Sequence, residues 1–137
     1  MDENDPVNQD EFVFRRIHRS FFDPSLPIPV LFPAFRPNQN DGAGISLFRE
    51  LFVRPEGTLA NVDAAKRGDY YVARLAVQSL LQLSLSVRPD PIPGGPLGHV
   101  VIPELTWPDY VAGKPRWRPT ILELAKLASA AIVLAPS

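Results

Sequence analysis

Residues 35–50 of this chain read FRPNQNDGAGISLFRE. A polar, glycine-containing loop here joins two short apolar runs, and each run carries an arginine, Arg36 or Arg49. The Asn-Asp-Gly cluster at 40–42 predicts a turn, and aromatic and branched residues predict a strand over 45–53. We therefore expect a hairpin-like loop whose flanks present both arginines at the surface, where loops often carry function.

The rest of the chain predicts short elements separated by loops, because it contains 16 prolines and proline interrupts helix interiors and central strands. Periodicity leaves 12–22 open between a short helix and an irregular strand. Predicted strands follow at 70–75, 84–88 and 99–102. Helical segments are predicted after Pro55, at 77–82 and from Thr120 to about residue 134, where Thr120 is the expected N-cap. The segment 107–119 is expected to be a proline-broken loop.

These elements predict a single α+β domain over residues 12–137, with a short mixed or antiparallel sheet and two or three helices. Residues 1–11 contain five acidic and no basic side chains. We expect them to form a disordered or loosely attached acidic tail.

Composition excludes several functional classes. The net charge of −1 gives no global field that would attract nucleic acid or an anionic membrane. Cysteine is absent, which excludes disulfides, thiolate nucleophiles and cysteine-ligated metals. The N-terminus lacks the pattern of a signal peptide, and the apolar stretch 121–135 falls short of a membrane span. We expect a soluble, cytoplasmic protein.

No metal or cofactor is expected. The only histidines, His18 and His99, do not have the spacing of a metal-binding motif. Asp90, Glu104 and Asp109 are isolated acids of the kind that commonly lie in turns. The Gly-Ala-Gly sequence at 42–44 lacks the third glycine of a dinucleotide fingerprint and the lysine of a P-loop, so a turn explains it better.

An enzymatic interpretation is open as the alternative. Metal-independent cleavage of RNA needs an acid, a base and cations for the phosphate. An ADP-ribose-handling toxin would use similar groups. The side chains available for either chemistry are two histidines, two arginines and a hydroxyl: His18, His99, Arg36, Arg49 and Ser46.

A non-enzymatic interaction or accessory module, as a subunit of a larger complex, is the favoured interpretation. One irregular stretch holds four residues of types enriched at interface hot spots, namely Trp107, Tyr110, Trp117 and Arg118. This Trp-containing stretch or the apolar C-terminal helix is expected to bind another protein. Nucleic-acid binding by the arginines and phenylalanines of 14–22 has weaker support.

Four segments resemble a pattern found in small bacterial and phage proteins of unassigned activity. The pattern comprises an Arg-Pro start at 36–37, a Gly-x-Ser-x-aromatic-Arg strand at 44–49, a Pro-Asp-Pro loop at 89–91 and a Gly-His strand at 98–102. The resemblance implies a bacterial or phage origin in a mobile or defence-associated, toxin–antitoxin-like setting. It also implies that five side chains share one ligand- or phosphate-binding site: Arg36, Ser46, Arg49, Asp90 and His99.

Overall fold

The computed structural model describes residues 1–137. Six strands form one antiparallel sheet in the order β4-β5-β2-β1-β3-β6. The strands are β1 Phe12–His18, β2 Ile45–Arg49, β3 Tyr70–Ala76, β4 Arg88–Pro89, β5 His99–Ile102 and β6 Ile132–Leu134. The helices are α1 Val77–Gln82, α2 Trp107–Ala112 and α3 Lys114–Ser129. The predicted α+β fold class is confirmed.

The central strand β1 pairs along its whole length with β3 and at its start with β2. Val13 lies opposite Arg49 and Leu75, whereas Phe14 lies opposite Phe48 and Arg74. Because side chains alternate between the two faces of a strand and opposed residues share a face, this register assigns each side chain to one face of the sheet.

One face carries the main hydrophobic core. Val13 and Ile17 of β1 contribute to it together with the buried side of α3. That side consists of Ile121, Leu124, Ala125 and Ala128, whose spacing of three and four residues is that of an amphipathic helix. Since α3 uses this apolar stripe inside its own domain, the stripe is not free to dock elsewhere.

The opposite face of the sheet is also covered. Phe14, Phe48 and Val101 are buried there, and Arg16 of β1 donates from Nη1 to the carbonyl oxygen of Thr58 at 3.0 Å. Thr58 belongs to the 3₁₀ turn Glu56–Leu59, which is followed by a second 3₁₀ turn, Ala64–Asp69. These turns replace the predicted helix after Pro55, consistent with the high cost of glycine in a helix interior.

The predictions for 45–53, 70–75, 77–82 and 99–102 correspond to β2, β3, α1 and β5. The open segment 12–22 contains β1. The predicted strand at 84–88 shrinks to β4, Arg88–Pro89.

The prediction of a loop over 107–119 is wrong. Pro108 and Pro115 lie in the first turns of α2 and α3, where the missing N–H costs nothing because helix starts leave such groups unbonded. Pro108 and Pro115 therefore mark two helix starts, whereas Pro119 lies inside α3. The prediction of Thr120 as the N-cap is also wrong, because α3 begins at Lys114 and its N-cap is Gly113. The helix predicted to continue to about residue 134 ends at Ser129, because Ile132–Leu134 pairs with β3 as β6.

Gly44 permits the close approach of β2 to β5. Its φ is 126°, a conformation that side-chain-bearing residues rarely adopt. A Cβ atom at this position would clash with the carbonyl group of Ile102, whereas one at Gly42 would meet nothing within 4 Å.

We predict that Gly44→Ala lowers the free energy of unfolding by about 2 kcal/mol or more, because strain of this kind costs roughly 1–3 kcal/mol and a backbone clash adds to it. Gly42→Ala is the matched control and should change it by no more than about 0.5 kcal/mol. Urea denaturation of both variants measures the difference. Equal midpoints would contradict the role assigned to Gly44.

Candidate functional site

Arg49 does not lie at the surface, contrary to expectation. Its side chain has 0% exposure. Its Nε and Nη2 atoms each donate to one oxygen of the Glu11 carboxylate at 2.8 Å, in the bidentate geometry that makes arginine–carboxylate pairs strong. The prediction that Arg49 lies at the surface is wrong because strand register determines the face on which a side chain lies. Arg49 pairs with Val13 and therefore lies on the core face of the sheet.

The N-terminal segment completes the surroundings of this guanidinium. Arg49 Nη1 donates to the carbonyl oxygen of Asp5 at 2.7 Å, and Nη2 donates to that of Pro6 at 3.3 Å. The side chain of Glu3 accepts a hydrogen bond from the Gly98 backbone at 3.1 Å. The segment that was expected to be a disordered or loosely attached tail therefore lies against the sheet, where the Glu11 carboxylate and two backbone carbonyl groups contact the buried cation.

The ion pair affects the pKa of Glu11. Burial of this carboxyl group raises its pKa, but the hydrogen bonds from Arg49 and Asn8, together with the charge of Arg49, outweigh burial and lower the pKa below its ordinary value. The ionised form of Glu11 is thus favoured in the folded state.

His99 is held by its own chain on β5. It is 6% exposed, and its Nδ1 lies 2.6 Å from the Asp90 carbonyl oxygen and 3.6 Å from Asp90 Oδ2. Because a carbonyl oxygen only accepts, Nδ1 is the donor. His99 lies opposite Phe48, whose side chain points to the face opposite that of Arg49. His99 and Arg49 therefore do not form one site.

His18 lies far from His99. At the end of β1, its Nδ1 accepts a hydrogen bond from the Ser20 backbone at 3.1 Å. Phe14 of β1, Phe48 of β2 and His99 of β5 lie opposite one another in the sheet. His99 is therefore two strand spacings from Phe14, and His18 lies four residues beyond Phe14 along β1. With standard strand dimensions, these two offsets place the histidines about 16 Å apart. This is too far for the two to act on one reacting bond.

Of the five residues grouped by the resemblance, only Asp90 and His99 are in contact. Ser46 contributes its backbone carbonyl, which accepts from Arg15 Nη1 at 2.9 Å. Arg36 follows the 3₁₀ turn Phe32–Ala34 and is exposed.

Arg36 lies instead in a cleft of ≈ 290 Å³, which we call the basic–aromatic cleft. It is lined by residues of the 36–39 loop, of α2 and of the start of α3: Arg36, Pro37, Asn38, Gln39, Trp107, Tyr110 and Lys114. The cleft thus unites Arg36, predicted as a ligand-binding residue, with Trp107 and Tyr110, predicted as partner-binding residues.

Hydrogen bonds join the walls of this cleft. The Trp107 backbone N–H donates to the carbonyl oxygen of Asp41 at 2.9 Å, which ties the loop to α2. The Asp41 carboxylate accepts from the Asn38 backbone at 2.8 Å, and the Asn38 side-chain oxygen accepts from Asn40 at 2.8 Å. The polar residues that predicted a turn therefore also position the loop side of the cleft.

Arg15 secures the two ends of the same loop. Its guanidinium donates to the carbonyl oxygens of Ala34, at 2.6 Å, and Ser46, at 2.9 Å. Burial lowers the pKa of Arg15 to about 10, partly opposed by the charge of Asp41. Arg15 remains charged at neutral pH and acts as a structural cation.

The cations of the basic–aromatic cleft have no acidic partner. Arg36 and Lys114 are exposed, and neither takes part in the ion pairs of the chain. Lys114 Nζ lies 5.9 Å from the centre of the Tyr110 ring, within the range of a cation–π contact. Tyr110 is 6% exposed, and its hydroxyl keeps solvent access without an internal hydrogen bond.

The remaining predicted partner-binding residues lie elsewhere. Trp117 lines a neighbouring cleft of ≈ 460 Å³ with Glu104, Asp109 and Arg116. Arg118 stacks over Phe32, with 5.4 Å from its guanidinium carbon to the ring centre. Sequence reasoning missed Lys114, because its stretch was predicted as a loop; its position one residue before Pro115 was the available signal for a helix start.

No three His, Asp or Glu side chains converge in an arrangement that could hold a metal ion. None of the helices combines the length and apolar composition that a membrane span requires. No protein-family model, curated protein or solved structure matches this chain.

We predict that Glu11→Gln lowers the free energy of unfolding by about 3 kcal/mol at pH 7, because it leaves the buried Arg49 charge without its counter-ion. Asp10→Asn, at an exposed neighbouring acid, is the control and should cost no more than about 0.5 kcal/mol. Urea denaturation measures both variants. A cost for Glu11→Gln equal to that of the control would contradict the buried pair.

The stability difference should also depend on pH. A carboxyl group whose pKa is lowered by folding stabilises the protein above its unfolded pKa, about 4.3 for glutamate, and this contribution is lost as the pH falls through the folded value. The wild type should therefore lose more stability than Glu11→Gln between pH 6 and pH 3. Parallel pH profiles would contradict the lowered pKa of Glu11.

Proposed function

We propose that this protein is a non-enzymatic interaction module, a subunit of a larger assembly, which binds an acidic segment of a partner protein in the basic–aromatic cleft. The observation that carries the proposal is the pairing of two uncompensated cations, Arg36 and Lys114, with the aromatic side chains of Trp107 and Tyr110 in one concave site.

The contrast with other cations supports this assignment. Arg49 is paired with Glu11, and Arg74 with Glu50 at 2.6 Å. Arg16 is bound to Thr58 and Asn61. Cations that are engaged internally stabilise the fold, whereas cations without an internal partner can receive an anionic ligand. Charge complementarity of this kind contributes specificity and the rate of association.

The aromatic residues supply the apolar part of the interface. Tryptophan, tyrosine and arginine are the residue types most enriched at interface hot spots. Trp107 is half-buried beside the nearly buried Tyr110, with 6.4 Å between the ring centres. A partner side chain that packs on these rings while an acid contacts Arg36 or Lys114 would combine both contributions. The C-terminal helix then takes part through its first turn, at Lys114.

The alternative, a metal-independent enzyme acting on RNA or a nucleotide, has less support from the geometry. The two candidate histidines are about 16 Å apart by strand spacing, and the candidate phosphate clamp of Arg36 and Arg49 is divided between an open cleft and a buried ion pair.

We propose that the module acts in the cytoplasm of a bacterium, where the absence of cysteine is compatible with the redox conditions. Its connection to a mobile or defence-associated system stays a prediction.

Affinity purification of the tagged chain from its native host tests the proposal. We expect a stoichiometric protein partner that is lost when Arg36→Glu and Lys114→Glu are combined, because two repulsive charges then replace two attractive ones. Arg88→Glu combined with Lys126→Glu is the matched control, since both residues are exposed and neither lines the cleft. With the purified partner, the cleft variant should weaken binding at least tenfold, measured by calorimetry.

Two outcomes would overturn the proposal. One is a partner that binds the cleft variant as tightly as the wild type. The other is a chain that purifies alone and cleaves RNA or a nucleotide in a manner abolished by His99→Ala.

A further inference from the structure

We infer that the group recognised in the basic–aromatic cleft is a phosphate monoester on an aromatic or otherwise flat carrier. This inference rests on the proposed function only for the source of that group, a phosphorylated side chain of the partner protein. The recognition chemistry itself follows from the side chains of the cleft.

The charged groups of the cleft are hydrogen-bond donors. Arg36 and Lys114 can only donate, and none of the lining residues is acidic. The Tyr110 hydroxyl has no internal partner, and this hydroxyl and the side-chain amides of Asn38 and Gln39 can each donate as well as accept. A ligand with several acceptor oxygens and negative charge therefore matches the two cations and can also accept from the neutral groups.

The start of α3 contributes a charged side chain to the cleft and little free backbone. Lys114 is the first residue of this 16-residue helix. Pro115 has no N–H, and the N–H groups of Arg116 and Trp117 both donate to the carbonyl oxygen of Gly113. The positive potential of the cleft therefore comes from the formal charges of Arg36 and Lys114, and its lining contributes no compensating carboxylate.

These charges favour a phosphate monoester over a carboxylate. A phosphate monoester carries a charge of about −1.5 to −2 near pH 7 and presents three terminal oxygens, whereas a carboxylate carries one charge and two oxygens. An arginine can bind two of the phosphate oxygens in a forked geometry, and a lysine can bind the third as a point charge.

The aromatic wall indicates what carries the phosphate. Trp107 is half-buried and keeps part of its surface open. A flat ring attached to the phosphate can stack on such a surface, and aromatic pairs contribute beyond the area they bury. Phosphotyrosine satisfies this description in a protein partner, and a nucleoside monophosphate does so as a small molecule.

Titration with small probes tests the inference without a known partner. We expect phenyl phosphate to bind the full-length protein at least tenfold more tightly than benzenesulfonate, which has a similar ring and three oxygens but one charge. Binding should strengthen between pH 5 and pH 7, as the second phosphate proton dissociates with a pKa near 6. Calorimetry measures affinity, and the fluorescence of Trp107 in a Trp117→Phe background reports on the site.

Variants locate the binding. Arg36→Gln and Lys114→Gln should each weaken phenyl phosphate binding at least tenfold. Lys126→Gln is the matched control, because it changes the same residue type on the same helix about 18 Å away by helical rise. Equal affinity for phenyl phosphate and benzenesulfonate would overturn the inference, as would undiminished binding by Arg36→Gln.

The source of the phosphate is decided by comparing a phosphotyrosine peptide, a phosphoserine peptide and adenosine monophosphate. Tightest binding of phosphotyrosine supports both the inference and the proposed partner class. Tightest binding of adenosine monophosphate supports phosphate recognition by the cleft and contradicts a partner protein as the source of the phosphate. If Arg36 and Lys114 are needed to capture a partner but phosphatase treatment and phenyl phosphate leave the capture unchanged, the inference fails and the proposed function stands.

Discussion

A guanidinium removed from water requires a partner for its charge and for its N–H groups, because an unpaired buried cation costs several kcal/mol. Arg49 meets this requirement through the Glu11 carboxylate and the carbonyl groups of Asp5 and Pro6. These contacts hold residues 5–11 against Arg49, and Glu11 directly precedes the first residue of β1. Because Glu3 also contacts Gly98, the same arrangement joins the N-terminus to the strand that carries His99.

The two arginines of residues 35–50 have opposite roles. Arg49 is withdrawn into an internal ion pair, whereas Arg36 stays open beside Trp107 and Lys114. The loop between them is held by Arg15 at its ends and by the Asp41 contact to α2. A positioned loop bearing a free cation has lost part of its conformational freedom before a ligand arrives, which lowers the entropic cost of binding.

Much of the fold could be predicted from the sequence, in those segments where a single local sequence feature indicates a helix or a strand. The branched and aromatic residues of β2, β3 and β5 predicted strands. Proline was ambiguous, because it disfavours a helix interior but favours the first turn. Pro108 and Pro115 lie in the first turns of Trp107–Ala112 and Lys114–Ser129, and Pro119 lies inside the second helix without ending it. The site could be predicted in part: Arg36, Trp107 and Tyr110 were named as candidates, but their proximity depends on a contact between Asp41 and Trp107 that no local pattern contains.

The amino-acid sequence by itself determined the α+β class, the identity of the strand-forming segments and the residue types available for binding, since these depend on local propensity and composition. Only the tertiary structure decided which arginine is buried and which is free, because strand register places Arg49 opposite Val13 and the return of the N-terminus brings Glu11 to it. It also decided that Arg36 and Lys114 share a cleft. These two residues are 78 positions apart in the chain, so only tertiary packing brings them together. The positive charge of the cleft therefore depends on that packing.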